Sequence, residues 1–130
     1  MWLMPDLLQT RRALLADDNE ELRSAIGQII ASCGFAVSEA GNGRKALQLF
    51  DEANGGFDLL LTDISMPEMD GRELIREVRN RDLGIPIIVV TSSDDLQTIR
   101  EIESHNAEMF HKPVDIPALH ACIKRLMIRG

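Results

Sequence analysis

Phe57-Asp58-Leu59-Leu60-Leu61-Thr62-Asp63-Ile64-Ser65-Met66-Pro67-Glu68-Met69-Asp70-Gly71 decides how the rest of the chain is read. Through Thr62 the stretch is almost continuously apolar, the pattern of a strand covered on both faces. It then turns polar at Asp63, and Pro67 rules out a simple continuation into helix. Ile85 to Val90 repeats the apolar run, so both segments are predicted at the centre of one sheet. Between them Asp70-Gly71 opens a helix with Leu74, Ile75 and Val78 inward.

Working outward, the same alternation holds along the chain. A first strand is predicted over Arg12 to Ala16, then a helix from Asn19 to Cys33 with Leu22, Ile26, Ile29 and Ile30 on one face and Gly34 as its left-handed stop. Phe35 to Glu39 alternates as a half-exposed edge strand does, and Asn42 caps a helix carrying Ala46, Leu47 and Phe50 that fades at Asn54-Gly55-Gly56. Beyond Thr91, Ser92 or Ser93 is predicted to cap a helix from Asp94 to Ser104 with Leu96, Ile99 and Ile102 inward. Glu108 to His111 is a short last strand, and a final helix starts near Pro117 with Ile116, Leu119, Ile123 and Leu126 inward. Five βα units imply an α/β domain built on a parallel sheet with crossover helices. Residues 1–10 are read as an N-terminal extension, with Trp2, Leu3, Leu7 and Leu8 loosely packed at most, and residues 11–130 as the single domain.

Composition narrows the function. The chain has 130 residues, 45% of them hydrophobic, enough for one full core and little more. A formal net charge of −7 leaves no basic stripe to neutralise phosphates, which argues against direct nucleic-acid binding. No apolar run approaches the roughly 20 residues that span a bilayer, and the first residues lack the pattern of a signal peptide. The expectation is a cytoplasmic protein without a membrane role. Cys33 and Cys122 lack metal-ligand spacing and are expected as reduced, buried thiols. His105, His111 and His120 also lack such spacing and are read as structural or surface residues.

The chemistry gathers at strand ends. Asp17 and Asp18 follow the first strand, Asp63 the third and Thr91 the fourth, while Lys112, followed by Pro113, comes after the fifth. In a parallel sheet all five meet at the carboxyl edge, where open α/β folds place their ligand sites. Asp18 with Glu21 also matches a capping box, a role that it is expected to share in part. Two unit charges about 4 Å apart interact by roughly 4 kcal/mol at an effective dielectric near 20, so three carboxylates raise one another's proton affinity unless a cation sits between them. Mg²⁺ suits such a set, since it takes oxygen ligands and keeps several waters. A carboxylate nucleophile, a hydroxyl donor and an ammonium beside it complete the groups that phosphoryl transfer requires.

These residues, together with the near-continuous motif Leu61-Thr62-Asp63-Ile64-Ser65-Met66-Pro67-Glu68-Met69-Asp70-Gly71, give the span from Arg12 to Arg129 its resemblance to a response-regulator receiver domain of two-component signalling. The resemblance implies a (βα)5 doubly wound sheet of order 2-1-3-4-5, a flavodoxin-like three-layer sandwich, with a cis peptide before Pro113. It implies that Asp63 takes a phosphoryl group from a histidine kinase or histidine phosphotransfer protein. Asp18, Asp63 and the main-chain carbonyl of Ser65 would bind Mg²⁺ directly and Asp17 through water, while Thr91 and Lys112 would contact the phosphoryl oxygens. Such a domain catalyses its own phosphorylation and dephosphorylation without being a conventional enzyme. It then switches binding to an effector domain or protein, or forms a homodimer, through the surface of the fourth helix, fifth strand and fifth helix. The family's inward-turning aromatic, three residues before the lysine, is Met109 here, and strand alternation sends Phe110 to the opposite face. Other classes are a receiver-like interaction module that is not phosphorylated, an aspartyl phosphohydrolase, which would carry a second acid where Ser65 stands, and a flavin module, whose phosphate Asp17 and Asp18 would repel.

Overall fold

The computed structural model describes residues 10–129 of the chain, with side chains through Ile128. The extension holding Trp2, Leu3, Leu7 and Leu8 lies outside the described residues. In chain order the elements are β1 (Arg11–Ala16), α1 (Glu20–Ser32), β2 (Phe35–Ala40), α2 (Gly43–Ala53), β3 (Leu59–Asp63), α3 (Gly71–Arg81), β4 (Ile87–Thr91), α4 (Leu96–Ser104), β5 (Glu108–His111) and α5 (Ile116–Arg129). The five strands form one parallel sheet in the order β2-β1-β3-β4-β5. This is the doubly wound three-layer architecture expected.

The two faces of the sheet follow from alternation within the apolar runs. Leu14, Leu60, Ile87 and Val89 point to one side, where Ala46, Phe50, Leu74, Ile75, Val78 and Ile102 of α2, α3 and α4 cover them. Leu15, Leu59, Leu61, Ile88 and Val90 point to the other, against Ile26 and Ile30 of α1 and Leu119 and Ile123 of α5. Each fully buried leucine or isoleucine is worth about 1.5–3 kcal/mol, so a register slip in β1, β3 or β4 would misplace every layer at once. Among the described residues no helix is long and apolar enough to cross a membrane. Cys33 and Cys122 are free and buried.

Several local expectations are corrected. The run at Phe57 joins the sheet only at Leu59, because Asp58 pairs instead with the start of β1, accepting from Arg12 N–H at 2.8 Å and donating its own N–H to the Arg12 carbonyl at 2.7 Å. The run at Ile85 enters the sheet at Ile87, since Pro86 has no N–H to give the ladder. Neither serine caps α4: Asp95 does, accepting from Thr98 N–H at 3.0 Å. That later start places Thr98 and Ile102 on the buried face and leaves Leu96 65% exposed. Ile116, also expected inward, is 45% exposed at the first position of α5. Asn19, not Asp18, caps α1 through Leu22 N–H.

One buried cation carries the base of the sheet. Arg79 of α3 donates Nε to the His105 carbonyl at 2.8 Å and Nη1 to the Ile85 carbonyl at 2.7 Å, joining α3 to the loops before β4 and β5. Its bonds are to main-chain carbonyls, which a side chain without N–H donors would leave unsatisfied. Arg79→Met, which keeps the apolar stem, is expected to lower stability by about 2–3 kcal/mol in urea unfolding. An unchanged midpoint would contradict that role.

Candidate functional site

The pairings Ala16 with Thr62, Asp63 with Val90 and Thr91 with His111 align the carboxyl ends of β1, β3, β4 and β5. One residue further on, Asp17 and Asp18 leave β1 and Lys112 leaves β5, so the acids and the lysine converge. Asp17, Asp18 and Asp63 offer carboxylate oxygens that all lie within 4.8 Å of one another. The Lys112 ammonium donates to Asp63 Oδ2 at 2.9 Å, and Ile64 N–H donates to Asp63 Oδ1 at 2.7 Å. Thr91, buried at its strand end, accepts Ser93 N–H on its hydroxyl oxygen at 3.0 Å, leaving the hydroxyl proton to donate elsewhere.

The loop after β3 is held by two glycines. Gly71 N–H donates to the Ile64 carbonyl at 2.7 Å and Gly43 N–H to the Met69 carbonyl at 3.1 Å, fastening both ends of the segment to helix N-termini. A Cβ at either position would overlap a main-chain oxygen, that of Asp63 or of Met69. Ser65 lies in this segment with its side chain exposed. The Lys112–Pro113 peptide is cis. Met109 packs, half-buried, on the α2–α4 side, and Phe110 on the α1–α5 side, as alternation requires.

The donor set fits a hard divalent cation. Asp17 Oδ1 accepts Asn19 N–H at 2.9 Å, but Asp17 Oδ2 is buried with no hydrogen-bond partner. An orphaned carboxylate oxygen facing two further carboxylates is costly unless a cation completes it. Burial pushes the Asp17 carboxyl above its ordinary range; the Asn19 N–H pulls it down, and the negative charges of Asp63 and Asp18 push it up. Because the folded value is raised, folding takes up a proton. The contribution to stability is therefore greatest below the unfolded value and is lost as pH rises through the folded one. Asp17→Asn keeps the acceptor for Asn19 N–H and removes the charge. It is expected to raise the metal-free melting temperature at pH 7 by a few degrees, on the scale of roughly 1–2 kcal/mol, with the gain shrinking as the pH falls through the carboxylate range. A variant that melts no higher than wild type at pH 7 would contradict this account of Asp17.

Taken together, the sheet order and the acidic cluster closed by Lys112 define a doubly wound α/β domain with a candidate cation site at the carboxyl edge of its sheet. Residues 13–124 match the response regulator receiver domain family. The chain belongs to that family: it is a receiver domain of two-component response regulators. It is 33% identical over 117 residues to the regulatory protein AtoC of Escherichia coli, covering 89% of this chain and 25% of AtoC. It is 30% identical to the sensor kinase CckA of Brucella abortus, covering 94% of this chain and 13% of that protein. The chain thus spans a quarter or less of these two relatives. Among solved structures it resembles a response regulator receiver domain protein from Clostridium thermocellum, with a TM-score of 0.83, 25% identity and coverage of 92% and 95% of the two chains. It also resembles the Vibrio cholerae chemotaxis protein CheY4, with a TM-score of 0.79, 26% identity and coverage of 91% and 99%.

The structure brings Asp17, Asp18, Asp63 and Lys112 together, places Thr91 on the adjoining strand end, and sets Met109 two residues back from the end of β5. Sequence reasoning passed over Arg23 and Gly43. Gly43, next to the cap Asn42, carried a local signal; Arg23, which donates to the Asp17 carbonyl and to Glu39, carried none, because those partners are 6 and 16 residues away.

Proposed function

We propose that this domain takes a phosphoryl group onto the Asp63 carboxylate from the phosphohistidine of a histidine kinase or histidine phosphotransfer protein, in a Mg²⁺-dependent reaction. The observation that carries the reading is the Asp63 side chain itself. One oxygen rests on the Lys112 ammonium at 2.9 Å, the other on Ile64 N–H at 2.7 Å, beside the orphaned Asp17 oxygen. As the new bond forms between phosphorus and an Asp63 oxygen, the bond from phosphorus to the imidazole nitrogen breaks and the donor keeps that electron pair. Lys112 neutralises charge on the phosphoryl oxygens, and the free hydroxyl proton of Thr91 donates to one of them. Asp17, Asp18, Asp63 and the main-chain carbonyl of Ser65 would hold the metal, which supplies charge neutralisation at the same oxygens. Attack of water on phosphorus returns the carboxylate and inorganic phosphate.

Incubation with acetyl phosphate and Mg²⁺ tests the reading by intact mass. One added phosphoryl group, lost when the metal is chelated, is expected; an unchanged mass would contradict it. The output follows from Thr91. Drawing its side chain toward the phosphoryl group strains the loop to Asp95 and, through the Lys112 N–H bond to the Thr91 carbonyl at 2.9 Å, the end of β5. The surface of α4, β5 and α5 is the place for an effector or a second copy of the domain, in a cytoplasmic protein. Met109 has a flexible side chain that fills space in several rotamers. Met109→Leu is therefore expected to keep the amide NMR shifts that phosphorylation causes over residues 96–111, and Thr91→Ala to reduce them by half or more. The reverse pattern would overturn this coupling.

A further inference from the structure

Arg23, one turn inside α1, reaches the main chain of the Asp17-Asp18 pair. The Arg23 side chain turns back from the helix and donates Nη1 to the Asp17 carbonyl at 2.8 Å and Nε to Glu39 Oε1, at the end of β2, at 2.9 Å. Asp17 N–H donates in turn to the Ala40 carbonyl at 3.0 Å. Both backbone groups of Asp17 are thus tied to the end of β2, one directly and one through the Arg23–Glu39 pair. The carbonyl that Arg23 holds belongs to the peptide joining Asp17 to Asp18. A peptide is planar, so fixing the direction of its C=O also fixes where the Cα of Asp18 begins. Among the described residues no hydrogen bond holds the Asp18 carboxylate, which is exposed. Its aim into the pocket therefore depends on that peptide plane.

We propose that Arg23, braced by Glu39, is a positioning residue for the metal site: it sets the Asp17–Asp18 peptide so that Asp18 presents its carboxylate beside Asp17 and Asp63. The inference rests on the metal reading of the acidic cluster. It opposes the simplest electrostatic expectation. A guanidinium near three carboxylates repels an incoming cation, so on charge alone its removal would tighten Mg²⁺ binding. If Arg23 acts by position, removal weakens binding instead. The bland alternative, a surface ion pair, would change neither affinity nor stability by much. The Arg23 side chain is only 20% exposed and makes two differently directed bonds, a geometry that a lysine cannot copy.

Calorimetric titration of the metal-free domain with Mg²⁺, paired with its thermal melt, separates these cases. Arg23→Met and Arg23→Lys are each expected to weaken Mg²⁺ binding about tenfold, the scale for partners that orient metal ligands. Glu39→Ala should weaken it in the same direction, and Glu39→Gln, which still accepts from Nε, should stay within about threefold of wild type. Arg23→Lys keeps the charge, so weakening there cannot be electrostatic; it also keeps the variant set informative should Arg23→Met unfold. Equal or tighter Mg²⁺ binding by Arg23→Lys and Glu39→Ala, with a titratable wild type, would overturn the positioning role and leave the metal reading standing. A wild-type domain that takes up no Mg²⁺ would overturn the metal reading itself and this inference with it.

Discussion

Asp63→Asn is expected to accept no phosphoryl group from acetyl phosphate, at any Mg²⁺ concentration, while remaining folded. The amide is a poor nucleophile toward phosphorus, and the ammonium of Lys112 would face a side chain that has lost its charge. The fold should tolerate the change because two effects of similar size oppose each other. The variant loses the one close attraction of Asp63 for Lys112 at 2.9 Å but also its two longer repulsions from the Asp17 and Asp18 carboxylates, within 4.8 Å. At an effective dielectric near 20 the first is roughly 6 kcal/mol and the two repulsions together roughly 7 kcal/mol. Lys112, with its side chain 26% exposed, can turn to water. A net stability change within about 2 kcal/mol is expected. Intact mass and a urea melt on the same sample check both halves, and a variant phosphorylated as fast as wild type would remove Asp63 from the role proposed for it.

Gly71→Ala should be the most damaging small substitution in the pocket. An added methyl would overlap the Asp63 carbonyl oxygen and come within 2.8 Å of the Ile64 Cα, both main-chain atoms that cannot rotate aside. Relief requires α3 to move away from the end of β3. That breaks the Gly71 N–H bond to the Ile64 carbonyl, 2.7 Å long, and displaces the loop that carries Ser65. A loss of about 3 kcal/mol or more in urea unfolding is expected, at the upper end for overpacking because the clash is with backbone. In the fraction that stays folded, phosphorylation should slow as well. Full stability in Gly71→Ala would show that α3 is less tightly docked than its hydrogen bond indicates.

The central strands and the acidic, hydroxyl and ammonium groups at their ends were legible because each depends on short-range pattern: an apolar run, then a polar residue where the strand leaves the sheet. Once Leu59 to Leu61 and Ile87 to Val90 are read as central strands, parallel topology carries Asp17, Asp63, Thr91 and Lys112 to one edge. What escaped was set by partners distant in sequence or by competition between neighbouring caps. Asp58 looks like part of a strand but bonds to Arg12, 46 residues away. Asp95 prevailed over Ser92 and Ser93 because its carboxylate takes both the N–H and the hydroxyl of Thr98, at 3.0 and 2.8 Å. That choice rotates Leu96 to the surface. Arg79 and Arg23 look like ordinary helix-surface cations, and only the folded chain supplies the carbonyls that they bind.

The central claim is that one carboxylate, Asp63, receives the phosphoryl group. Borohydride reduction of the phosphorylated domain converts an aspartyl phosphate to homoserine, and peptide mass mapping then locates the converted residue. Homoserine at position 63, formed only when both phosphodonor and Mg²⁺ were present, is the result predicted. Conversion at position 17, 18 or 70 instead, or at no residue of a domain that had gained a phosphoryl group, would contradict the account.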